Sequence, residues 1–192
     1  MITSSLSIKL KNHARQAAQA AFRTKILFDT NQLLQRAVGK DELISVTANQ
    51  LVKLLDRNII MYPVQGDELE TPRIFSVSDE PISEELTSDN ERAVASWVLK
   101  NNKHAGATTD TLASAKCLYL SIRVNDHVYG VVGIVIADDP LDAFENSIML
   151  SILGESALAM ENEKNAKEKE EAAIHARNEQ LRANLLRAIS HD

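Results

Sequence analysis

CLYLSIRVNDHVYGVVGIVIA, residues 117–137, decides the fold. Its first eight residues alternate loosely between apolar and polar side chains, the period of a β-strand. Asn125-Asp126 is a tight two-residue turn. The return stretch, 128–137, is nearly all apolar with Gly130 and Gly133 inside it. The pair is the central hairpin of an antiparallel sheet.

Toward the N-terminus, 103–116 (KHAGATTDTLASAK) is polar and reads as a loop. Ser88 and Glu91 have capping-box spacing, which starts a helix over 89–101 that buries Val94, Trp97 and Val98. Residues 58–64 (NIIMYPV) and 73–77 are shorter strands, separated by the turn Gln65-Gly66-Asp67 and flanked by Pro72 and Pro81. Gly39 sits where a helix C-cap glycine belongs, and Asp41 is placed to cap a helix whose stripe is Leu43, Val46, Leu51, Leu54 and Leu55. Before it, 7–38 holds no Gly or Pro, and Phe22, Ile26, Leu33 and Ala37 recur at helical spacing. Between Lys11 and Ala21 its apolar residues are all alanines, Ala14, Ala17, Ala18 and Ala21 among them, set among basic residues, and we expect this early part to project from the domain.

Beyond the hairpin, Asp139-Pro140 is a helix start, with Leu141, Phe144, Ile148, Ile152 and Leu153 as its stripe. No proline follows. The segment 161–171 (ENEKNAKEKEE) is too polar for a monomer core, yet Leu181, Leu185, Leu186 and Ile189 come after it. Asn178, Leu181, Leu185 and Ala188 fit heptad positions a, d, a and d, and Asn184 is either a polar residue at a helix seam or part of a solvated face. Long helices at both ends favour a parallel homodimer. The expected class is α+β: an antiparallel sheet with helices packed at one face, flanked by long N- and C-terminal helices. We divide it into a leading helix (1–38), a sheet domain (39–158) and a coiled-coil linker (159–192).

Composition narrows the function. Lys and Arg total 21 against 27 Asp and Glu, a net charge of −6. With no basic stripe, nucleic-acid binding is not expected, because phosphate neutralisation supplies most of that affinity. One cysteine, Cys117, makes neither an intrachain disulfide nor a cysteine zinc site, and at the head of a strand it reads as a buried thiol. The histidines show no metal-ligand spacing. Gly130 and Gly133 lie inside a strand and form no phosphate loop. The longest apolar run is too short to span a bilayer, and no continuous apolar leader follows Met1. A soluble fragment is expected.

A sheet entered and left by long helices resembles a small sensor domain, and the late strong hairpin favours the GAF type. Residues 179–192 (EQLRANLLRAISHD) resemble the phosphoacceptor segment of sensor histidine kinases, whose helix carries Ser-His-Asp or Ser-His-Glu. His104-Ala105-Gly106-Ala107-Thr108-Thr109-Asp110-Thr111-Leu112, after Ala95-Ser96-Trp97, resembles the GAF region of KdpD-type kinases. Leu118-Tyr119-Leu120 and Tyr129-Gly130-Val131-Val132-Gly133 extend the match; Ala107-Thr108 departs from the family's more usual Gly-Thr.

The resemblance implies a cytoplasmic part of a cell-membrane sensor kinase, joined to the membrane only through segments absent here. In such a protein His191 accepts a phosphoryl group from ATP, and Asp192 orients the imidazole. A neutral, oriented imidazole is what that transfer requires. A KdpE-like response regulator that controls potassium transport genes would then receive the group. No cofactor is expected in this segment itself, which lacks an ATP-binding domain. Trp97, His104, Thr109, Asp110 and Thr111 sit where many GAF domains close over a small ligand. The same residues also suit a core tryptophan above a capped turn.

Overall fold

The computed structural model describes residues 2–78, 83–137 and 139–190, so the readings of Pro81, His191 and Asp192 lie outside the described residues. In chain order the elements are α1 (Ile2–Arg36), α2 (Lys40–Leu55), β1 (Ile59–Gln65), β2 (Glu68–Leu69) and β3 (Arg73–Phe75). A single 3-10 turn (Glu84–Thr87), α3 (Asp89–Asn101), β4 (Ala105–Gly106), β5 (Cys117–Val124), β6 (His127–Val135) and α4 (Ala143–Ser190) complete the chain. The sheet is antiparallel, in the order β2-β1-β6-β5-β4, with β3 also paired to β1. The hairpin β5–β6 is its centre, turning at Asn125-Asp126 with Asn125 in the left-handed region.

Helices cover both faces of the sheet, not one as the element order suggested. Alternation along β1 sends Ile59 and Met61 into one core, with α1, α2 and α4. Ile60, Tyr62 and Val64 enter a second core with α3. Val132 and Ile134 of β6 join the first core and Val131 the second. A strand buried on both faces reads as a continuous apolar run, which hid the second layer from the sequence pattern. Gly133 has a steric role: a Cβ there would meet the Tyr119 ring at 2.5 Å, and the two residues are cross-strand partners.

Several boundaries differ from expectation. The stretch 103–116 contains β4, which pairs Ala105 with Tyr119 and Gly106 with Leu118. β3 ends at Phe75, β6 ends at Val135, and the two-residue β2 follows the Gly66 turn. α4 begins at Ala143 rather than at Pro140. Its cap is reciprocal, with Glu145 N–H donating to Asp142 Oδ1 at 2.7 Å and Asp142 N–H to Glu145 Oε2 at 3.0 Å. Gly39, not Asp41, is the N-cap of α2, while Asp41 pairs with Arg73 at 2.7 Å. On α1 the buried positions are Ile26, Thr30 and Leu34, four residues apart, leaving Leu33 and Phe22 more exposed. Thr30 Oγ1 lies 3.2 Å from Gln50 Oε1 of α2, so the buried polar pair joins the two helices.

Candidate functional site

The helix α3 starts at Ser88, whose Oγ accepts the Glu91 N–H at 3.5 Å. In a capping box the Glu side chain would return the bond to the Ser88 N–H. Here that amide donates to the Glu85 carbonyl instead, and the Glu91 carboxylate turns into the second core, where the residue is 2% exposed. Glu91 Oε2 accepts the Tyr119 hydroxyl at 2.8 Å, and Oε1 accepts the Lys116 backbone N–H at 2.8 Å. One buried carboxylate therefore clasps α3, the end of the loop and β5 together. On the outside, the Lys116 ammonium pairs with Glu85.

Tyr62, Tyr119 and Cys117 line the same interior. The Tyr62 hydroxyl is buried without a protein partner. Burial, then the carboxylate charge of Glu91, pushes the Cys117 thiol up to about 12, so near neutral pH it is no thiolate nucleophile. Burial also raises both Tyr62 and Tyr119. Glu91 and its clasp were not singled out from the sequence. The only available signal, the Ser88–Glu91 spacing, pointed to a helix cap.

The loop over this interior holds itself together. Thr109 Oγ1 lies 2.7 Å from the Gly106 carbonyl and 2.8 Å from the Thr111 carbonyl, and the Thr111 N–H donates back to it at 3.2 Å. Thr109 and Thr111 are thus brought together, whereas His104 and Asp110 are exposed. Trp97 is half-buried against the second core. Gly106 has φ +99° and an added Cβ would lie 2.1 Å from the Cys117 carbonyl oxygen, so β4 can approach β5 only through glycine. Thr108, in the stretch that departs from the family pattern, has φ +65°.

The other feature is the exit of α4. Burial along this 48-residue helix ends at Met160, which is 3% exposed. From residue 164 to Ser190 every residue is exposed, among them Leu181, Leu185, Leu186 and Ile189. The helix runs unbroken to Ser190, the residue before His191. Among the described residues no three His, Cys, Asp or Glu side chains gather as a metal site requires, and no helix is long and apolar enough to cross a membrane.

No family model matches the chain. Over all 192 residues it is 32% identical to the sensor protein KdpD of Clostridium acetobutylicum, and it spans about a fifth (21%) of that protein's length. The crystal structure of the native GAF domain of the potassium sensor histidine kinase KdpD from Escherichia coli is similar, with a TM-score of 0.61 at 15% identity, covering 76% of this chain and 98% of that one. A GAF domain from Pseudomonas syringae pv. tomato gives 0.58, also at 15%, over 86% and 99%. At such identities the likeness to these structures is one of fold. Over its whole length the chain is similar to part of a KdpD sensor protein, and its fold is that of a GAF domain, as a KdpD-type GAF segment would have.

Proposed function

We propose that this segment is a non-catalytic relay: its GAF domain couples a leading helix to a helix that leads toward a phosphoacceptor histidine. The observation that carries it is α4. One helix is clamped to the sheet through Ile148, Ile152 and Met160, then continues to Ser190 for about seven turns in which every residue is exposed. Helix packing has discrete arrangements, so a shift of α1 against the first core would change the rotation or height at which α4 leaves. The exposed leucines near its end suit pairing with a second copy in a homodimer. In the full protein His191 would take the phosphoryl group from ATP, with Asp192 orienting the ring. A KdpE-like response regulator governing potassium transport genes would receive it, and the leading helix would descend from the membrane part of the kinase.

The experiment is a phase test in a chimaera joining this chain through Asp192 to the dimerisation and ATP-binding domains of a histidine kinase. Deleting seven residues within 163–176 turns the downstream helix by only about 20°, whereas deleting two turns it by roughly 160°. A relay keeps its autophosphorylation level in the first deletion and loses or locks it in the second. Equal activity in both would end this account.

A second reading, a small-molecule receptor, has one observation in its favour: the orphaned Tyr62 hydroxyl beside Tyr119 and Cys117, beneath the loop that carries Thr109, Asp110 and Thr111. A receptor would lose its ligand response in Asp110→Ala with folding intact.

A further inference from the structure

We propose that the groove where α4 leaves the sheet is a binding site for a small carboxylate with an apolar body. The cavity is about 290 Å3, at the end of the sheet where α2 and α4 meet β1 and β6, and draws Leu43, Tyr129 and Met160 from the first core and Val64 and Val128 from the second. At roughly 30 Å3 per water-sized group it holds about ten non-hydrogen atoms, the lower edge of small-ligand pockets. Its walls come from four elements: Leu43 of α2, Val64 of β1, Val128 of β6 and Met160 of α4. All four side chains belong to residues more than nine-tenths buried, so the walls are fixed by the core.

The rim is cationic. Lys40 is already committed, donating to the Val64 carbonyl at 2.7 Å and to Glu70 at 3.1 Å. The charge left for a ligand comes from α4. Lys164 meets Glu168 only at 3.9 Å, and among the described residues Lys167 makes no ion pair. In the lining itself three lysines face one carboxylate, Glu163. Two flexible ammonium groups without a guanidinium fork suit a single carboxylate better than a phosphate, which gains most from bidentate donors. An occupant would touch the last buried residue of α4 and the start of α2 at once. It would therefore brace the helix at the point where it departs, whatever lies at the helix's far end.

The test is a titration of the 192-residue chain with octanoate, followed in 1H–15N spectra, with octanol as the neutral match. Octanoate should give saturable shifts at the amides of Gly39, Gly66, Val128 and Met160. Lys164→Gln with Lys167→Gln leaves the core untouched, since both residues are exposed. That double variant should bind octanoate about tenfold more weakly, the worth of two exposed ion pairs, while octanol binding changes by less than about twofold. Absence of saturable shifts, shifts centred on 103–116, or octanol binding as tightly as octanoate to the original chain would each overturn the proposal.

Discussion

Replacing Glu91 by glutamine tests whether the buried carboxylate holds α3, the loop and β5 together. The carboxylate accepts from two donors, the Tyr119 hydroxyl and the Lys116 N–H, both at 2.8 Å, in a residue 2% exposed. A glutamine can still accept from the Lys116 N–H, but its NH2 then faces Tyr119, whose hydroxyl must accept instead of donating. Two charge-assisted bonds become neutral ones and the buried Tyr119 hydroxyl proton loses its acceptor, at a cost of about 2–3 kcal/mol. Tyr119→Phe removes one of the two bonds in advance. In that background Glu91→Gln has only the Lys116 bond left to weaken, and its cost should fall by about 1–2 kcal/mol. Trp97 is the only tryptophan and packs on the same core, so urea unfolding followed by its fluorescence reports the region directly. A cost below about 0.5 kcal/mol, or strict additivity with Tyr119→Phe, would refute the clasp.

Cys117 should resist a disulfide reagent at pH 8 in the folded chain and react only at the rate of unfolding, because burial and Glu91 hold its thiol at about 12. The same shift has a signed consequence for stability. The thiol's contribution is complete below its ordinary value of 9.0 and is lost as pH rises toward about 12, since only the unfolded chain gives up the proton in that window. Urea midpoints across that range should therefore fall less steeply in Cys117→Ala. Gly106→Ala should cost about 3 kcal/mol or more, driving a Cβ into the Cys117 carbonyl at positive φ. Gly39→Ala meets open space but holds φ +84° and ψ 163°, a region essentially reserved for glycine, and should cost about 1–3 kcal/mol of backbone strain alone. Thr108→Gly should stabilise the fold by about 0.5–1 kcal/mol, relieving a β-branched residue of φ +65°, measured by the same unfolding assay.

The hairpin 117–137, the two terminal helices and α3 were legible because each writes its own period or cap into consecutive residues. What escaped was decided by distant parts of the chain. β4 is two residues long and exists only because Gly106 lets the backbone reach β5. Strand β1 is apolar on both faces, which identifies a buried strand but not which helix covers each side. The Asp139-Pro140 start was a sound local signal overruled by a better cap three residues later, where Asp142 and Glu145 satisfy each other. The loop threonines were found as a group, but their hydroxyls serve the loop's own carbonyls. Glu91 carried a local explanation so ordinary that no sequence pattern marked it as the residue at the centre of the second core.

The relay account rests on two copies of α4 meeting beyond the domain, so the most direct measurement is native mass spectrometry of the chain beside Leu181→Glu with Leu185→Glu. The account predicts a dimer of the 21.2 kDa chain without additional mass, and a monomer for the double variant, both domains folding alike. A monomeric original chain, or a dimer that survives both substitutions, would contradict it.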